Sequence, residues 1–143
     1  MNEEIARYSI DDCKEGQSFS FQETISRENV DEFAVLTGDT STIHIDGKFA
    51  RERGFKDRVV HGVFLSTYFS RLIGVYYPGE NSLLQMLNVK FLAPAYINDR
   101  INISAVVDQV SNGTRSLLLK LYIENVDTKK ILVKGKAMLG FTG

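Results

Sequence analysis

The chain has 143 residues, 43% of them hydrophobic and 24% charged, with 17 basic and 18 acidic side chains for a net charge of -1. That length fits a single domain, 1–143, with an ordinary core, and the balanced charge leaves no cationic surplus to drive binding to nucleic acid. One cysteine, Cys13, and two histidines argue against an intrachain disulfide and a zinc centre, so no metal is expected. No apolar run approaches the ~20 residues of a membrane span, and the polar start Met1-Asn2-Glu3-Glu4 lacks the layout of a secretion signal. A soluble, cytoplasmic protein is expected.

Residues 18–25 alternate apolar and polar types around Phe19 and Phe21, which predicts a strand exposed on one face. Ser26 stops it and supplies an N-cap. Val30, Phe33, Ala34 and Leu36 then recur at helical spacing with Glu28 in the first turn, so a helix is expected over Arg27–Thr37, closed by Gly38. Residues 39–45 read as a polar loop and 47–53 as a short helix broken by Gly54. Over 59–77 bulky apolar residues occupy nearly every turn, so a long helix, apolar on most of its faces, is expected to be buried. Ser66, Thr67, Ser70 and Arg71 interrupt it too often for a membrane span, so something broad must wrap it.

The back half supplies that wrapping. Residues 83–91, 100–110, 116–124 and 131–141 are four strand candidates rich in β-branched and aliphatic types. Asn112-Gly113 fits a tight hairpin turn because both residue types tolerate positive φ. Residues 127–130 form a polar link of the same kind, and Pro94 with Asn98-Asp99 marks the corner between the first two strands. An α+β architecture follows, with an antiparallel sheet enclosing one long helix.

Two segments could carry chemistry. Gly38-Asp39-Thr40-Ser41-Thr42-Ile43-His44 sets a carboxylate and an imidazole five positions apart, and these are the side chains best suited to move protons near neutral pH. The same residues could instead serve as a turn aspartate and a hydrogen-bonded loop histidine. Val59-Val60-His61-Gly62-Val63 opens the buried helix. Its first-turn amides favour negative charge, and glycine admits close approach, as an oxyanion hole requires. Close helix packing at Gly62 and capping by His61 would explain that segment equally well.

Phe33-Ala34-Val35-Leu36-Thr37-Gly38-Asp39-Thr40-Ser41-Thr42-Ile43-His44, followed by Ala50, resembles the signature of the MaoC-like (R)-specific enoyl-CoA hydratases, also called hydratase 2. His61-Gly62, Ser70 and Gly74 resemble that family's His-Gly helix start and the serine further along it. Phe91 and Pro94 resemble its Phe-x-x-Pro strand, so the likeness runs from about Phe19 to the last strand. Ser41-Thr42 stands where the family has Asn-Pro, which leaves the loop less restricted.

The resemblance implies the hot dog fold, a curved antiparallel sheet wrapped around one long buried helix, paired as a homodimer with the acyl site near the subunit boundary. It also implies reversible hydration of trans-2-enoyl thioesters to (R)-3-hydroxyacyl thioesters, carried on CoA or an acyl carrier protein, with no cofactor. By the same resemblance Asp39 and His44 handle the protons and the Gly62 amide holds the thioester oxygen. Ser41, His61 and Ser70 then fall on the substrate side. Lys48, Arg51, Arg53, Lys56 and Arg58 could form a basic rim for CoA phosphates or an acidic carrier, although surface charges often have no partner. Thioester hydrolysis on the same fold and acyl-CoA binding without turnover remain as alternatives.

Overall fold

The computed structural model describes residues 3–143. Five strands, β1 Ser18–Thr24, β2 Ser82–Phe91, β3 Arg100–Ser111, β4 Ser116–Asn125 and β5 Ile131–Phe141, form one antiparallel sheet in the order β1-β3-β4-β5-β2. Four α-helices accompany them: α1 Arg27–Thr37, α2 Thr42–Ile45, α3 Gly47–Glu52 and α4 Gly62–Arg71.

Alternation builds the core. Successive strand residues face opposite sides, so Ile101, Ile103, Ala105 and Val107 of β3 and Leu117, Leu119, Leu121 and Ile123 of β4 all turn inward and are buried. Against them α4 lays Phe64, Leu65, Tyr68 and Phe69. The strand register shifts at Leu84/Met86, Val107/Gln109 and Ile123/Glu124. Such bulges bend strands and raise their twist, which lets a sheet curl around a helix. The α+β expectation is met: one antiparallel sheet with the apolar helix as its filling. No helix among the described residues is long and apolar enough to cross a membrane.

α1 takes the bounds that its signals predict. Ser26 Oγ accepts the Asn29 N–H at 3.1 Å, and Gly38, at φ 76°, closes the helix by donating its N–H to the Ala34 carbonyl. Phe33 and Ala34 pack inward, whereas Val35 and Leu36 stay exposed.

Several expectations need correction. Residues 39–45 are not all loop, because α2 adds one helical turn there. The central helix begins at Gly62 and not at Val59. Val59 instead bridges to Tyr96, with its N–H on the Ile43 carbonyl (3.1 Å), the Val60 N–H goes to the Ala95 carbonyl (2.9 Å), and His61 is still non-helical (φ -55°, ψ 127°). At its far end α4 widens into a π-helical turn, Leu72–Tyr76, with the Tyr77 N–H reaching the Leu72 carbonyl. The helix is also not buried all round: Val63, Thr67, Ser70 and Gly74 share one exposed stripe. The β3–β4 hairpin turns through the four residues 112–115, and the positive φ expected at Asn112-Gly113 falls on Arg115 instead. Arg115 takes the left-handed conformation (φ 51°), and Ser111 Oγ accepts the Thr114 N–H.

Candidate active site

α1 ends at Gly38 and α2 begins at Thr42, so Asp39 sits on the short link between two helix ends. Its backbone is fixed on both sides. The Asp39 N–H donates to Thr37 Oγ1 (3.2 Å), and its carbonyl accepts from His61 Nε2 (2.9 Å). The carboxylate Oδ1 accepts the Ser41 N–H at 3.3 Å, while the side chain stays half exposed.

His44 lies within α2, its N–H bonded to the Ser41 carbonyl, and its ring is mostly enclosed. Ring Nδ1 stands 2.7 Å from the Val59 carbonyl oxygen. A carbonyl can only accept, so Nδ1 carries a proton, and the ring in its neutral form presents its lone pair on Nε2. That atom faces Asp39 Oδ2 across 4.0 Å. The separation is too long for a direct hydrogen bond and suits one water that touches both groups.

An apolar cavity of about 380 Å³ adjoins His44, lined by that residue with Val60, Gly62, Leu65, Phe91 and Pro94 among others; Asp39 is outside its lining. It falls near the small end of the ~300–1,000 Å³ usual for ligand sites. Gly62 is the first residue of α4, so its N–H has no carbonyl to serve within the helix and sits at the positive end of the dipole. A Cβ at this position would stand 3.0 Å from the Phe91 ring, so a larger residue would press that half-exposed ring aside. A larger depression of about 680 Å³ beside α1, lined by Phe33, Val35, Leu36 and Phe64, includes neither Asp39 nor His44.

The profile of the MaoC-like domain family matches residues 12–127. This chain belongs to that family. An (R)-specific enoyl-CoA hydratase of Rhodospirillum rubrum is 31% identical to it over 105 residues, 73% of each chain. A mitochondrial 3-hydroxyacyl acyl-carrier-protein dehydratase of Arabidopsis thaliana is 37% identical over 76 residues, 53% of this chain and 45% of that protein. Among solved structures, an (R)-hydratase from A. caviae involved in PHA biosynthesis superposes with a TM-score of 0.86 at 25% identity, over 90% of this chain and 97% of that one. An R-hydratase from Pseudomonas aeruginosa gives 0.89 at 20% identity, over 96% and 87%. The sheet and helix are thus the hot dog arrangement of those hydratases.

In this MaoC-like domain the structure gathers Asp39, His44 and Gly62 at one place and leaves other expected residues outside it. His61 is buried under the loop, stacked on the His44 ring at 3.9 Å and edge-on to Phe33, and it does not line the cavity. Ser41 meets the site through its backbone, giving its N–H to Asp39 and its carbonyl to His44. Ser70 lies on the exposed stripe of α4, about 12 Å along the axis from Gly62 at the usual rise. The basic rim is largely engaged within the chain. Arg51 pairs with Asp57 (3.2 Å), Arg58 turns inward to Asp31, Arg53 covers the Phe49 ring, and Lys56 faces Tyr96.

Donor atoms of Asp39, His44 and His61 lie within 4.8 Å of one another, close enough to raise the question of a metal. The two rings stack with only 27° between their planes, so their in-plane lone pairs run side by side and do not converge on one ion. One nitrogen of each ring is also committed to a backbone carbonyl. The trio is therefore a poor ligand cage. Cys13 is buried, its Sγ donating to the Ser9 carbonyl, and burial pushes its thiol up from the ordinary value, which is unfavourable for a nucleophile.

Long-range 1H–15N NMR of the histidine side chains near pH 8 tests the proton assignment. His44 is expected as a single neutral tautomer with its proton on Nδ1; an Nε2–H form would contradict the bond to Val59.

Proposed function

We propose that this protein hydrates trans-2-enoyl thioesters reversibly to (R)-3-hydroxyacyl thioesters, on CoA or an acyl carrier protein, with Asp39 and His44 as the proton-handling pair. The observation that carries this reading is the Nε2 lone pair of His44, held toward Asp39 Oδ2 across 4.0 Å beside an apolar cavity. Both relatives named above are a hydratase and a dehydratase, which supports this reaction over hydrolysis or binding without turnover.

The chemistry follows from the parts. Water is a weak nucleophile, so it must lose a proton as its oxygen bonds to C3. His44 Nε2 takes that proton, and the Asp39 carboxylate orients the water and stabilises the imidazolium that forms. The C2–C3 double bond shifts its electrons toward the thioester carbonyl, where negative charge grows. The Gly62 N–H, at the dipole's positive end, meets that oxygen, a role generally worth about 3–4 kcal/mol in a formed oxyanion hole. His44 then returns a proton to C2 on the same face, and the imidazole is neutral again. Ser41 and His61 contribute by holding the Asp39–His44 loop in place.

We also infer pairing with a second copy along β2. That strand ends the sheet, bonded only to β5, and it leaves Leu83, Met86, Leu87 and Phe91 exposed. A long apolar edge of this kind tends to be covered by another chain. Val63 and Ser70, on the open stripe of α4, are further residues that a partner could cover.

With crotonyl-CoA, the wild type is expected to bleach the conjugated thioester absorbance. Asp39→Asn and His44→Ala should each lower kcat by about 10²–10⁴-fold; full activity in either variant would remove that residue from the mechanism. In sedimentation equilibrium the protein should have twice the chain mass and Leu87→Asp should shift it toward the monomer, whereas a monomeric wild type would refute the pairing.

A further inference from the structure

The bond to Val59 fixes the His44 ring, but the backbone that carries the ring needs support as well. α2 is a single turn of four residues, and helices so short do not sustain themselves. Its first residue is Thr42, which does not lock φ as proline would. Its last carbonyls have no partner within the turn.

Arg58 supplies what is missing. Its guanidinium is buried, with the residue 8% exposed, and Nε donates to the His44 carbonyl at 2.7 Å. A terminal nitrogen of the same group donates at 2.5 Å to Asp31 Oδ1, on the middle of α1. Residues 58 and 59 thus hold residues 43 and 44 by three bonds: Arg58 Nε to the His44 carbonyl, the Val59 N–H to the Ile43 carbonyl, and His44 Nδ1 to the Val59 carbonyl. One planar fork spreads fixed donors to acceptors on two helices at once, a geometry that the compact ammonium of lysine does not reproduce. Without Asp31 the enclosed cation would lose its counter-charge.

We propose that Arg58, anchored by Asp31, is a positioning residue for the hydration: it sets where His44 Nε2 stands relative to Asp39. Arg58 does not line the acyl cavity, so its loss should slow turnover without weakening substrate binding. The inference rests on the reading of His44 as the proton carrier. A separate cavity of about 180 Å³ is lined by Arg27, Lys56, Asp57, Arg58 and Tyr96 among others.

The test is steady-state hydration of crotonyl-CoA by the full chain carrying Arg58→Ala, Arg58→Lys or Asp31→Asn. Arg58→Ala should lower kcat by about 10- to 100-fold while KM stays within about twofold, because small misplacements of a reacting group cost rates of that order. Arg58→Lys should recover little of the loss. Methylguanidinium added to Arg58→Ala should raise kcat at constant KM, and methylammonium should not. Unchanged kcat, a rise in KM alone, or absence of recovery with methylguanidinium would each overturn the proposal. If Arg58→Ala does not fold, Asp31→Asn decides by the same division of kcat from KM. His44→Ala run alongside separates the two ideas. Full activity there refutes the reading of His44 itself, whereas an inactive His44→Ala beside an intact Arg58→Ala refutes only the positioning role.

Discussion

The hydrogen bond from His44 Nδ1 to the Val59 carbonyl is the contact on which the site depends. An imidazole has two nitrogens and one proton to place between them, and a fixed acceptor on one side decides the state of the other. Val59 is itself held from the sheet side: it bridges to Tyr96, and the next amide, that of Val60, bonds to the Ala95 carbonyl. Position passes from the segment that follows β2, through two valines, to the ring nitrogen that faces Asp39.

The same stitching sets the start of the central helix. Val59 lies in a bridge to Tyr96 and its carbonyl is engaged by His44, so helical bonding begins only at His61, whose carbonyl accepts the Leu65 N–H. Gly62 therefore becomes the first helical residue, and it lines the cavity beside Phe91. A helix that began three residues earlier would pair the Gly62 N–H with the Arg58 carbonyl and leave no free donor at Gly62. The acceptor for His44 and the amide at the mouth of α4 are two results of one strand-like segment in front of the helix.

Much of this was legible in the sequence where a side chain announces its own backbone. Ser26 and Gly38 mark both ends of α1, the aliphatic content of 131–141 marks all of β5, and the spacing of Asp39 and His44 already suggests a common site. What stayed hidden was settled by backbone groups and distant partners. No residue type at 59 signals that its carbonyl will orient a histidine. Arg58 looks like one more surface charge until α1 and α2 bring Asp31 and the His44 carbonyl to it. The Asn112-Gly113 pair suggests positive φ at the turn, yet the structure puts it on Arg115, because the pairing of Ser111 with Ser116 leaves four residues to close the hairpin. Ser70 matched the family's helix serine in spacing, but its face of α4 turns away from the cavity of its own chain.

A crystal structure with (R)-3-hydroxybutyryl-CoA bound would decide most directly whether the two groups share one oxygen. The 3-hydroxyl should lie within about 3.2 Å of both Asp39 Oδ2 and His44 Nε2, with the thioester oxygen on the Gly62 N–H. A hydroxyl that reaches only one of the pair, or an acyl chain seated outside the cavity beside Gly62, would contradict the shared-water arrangement.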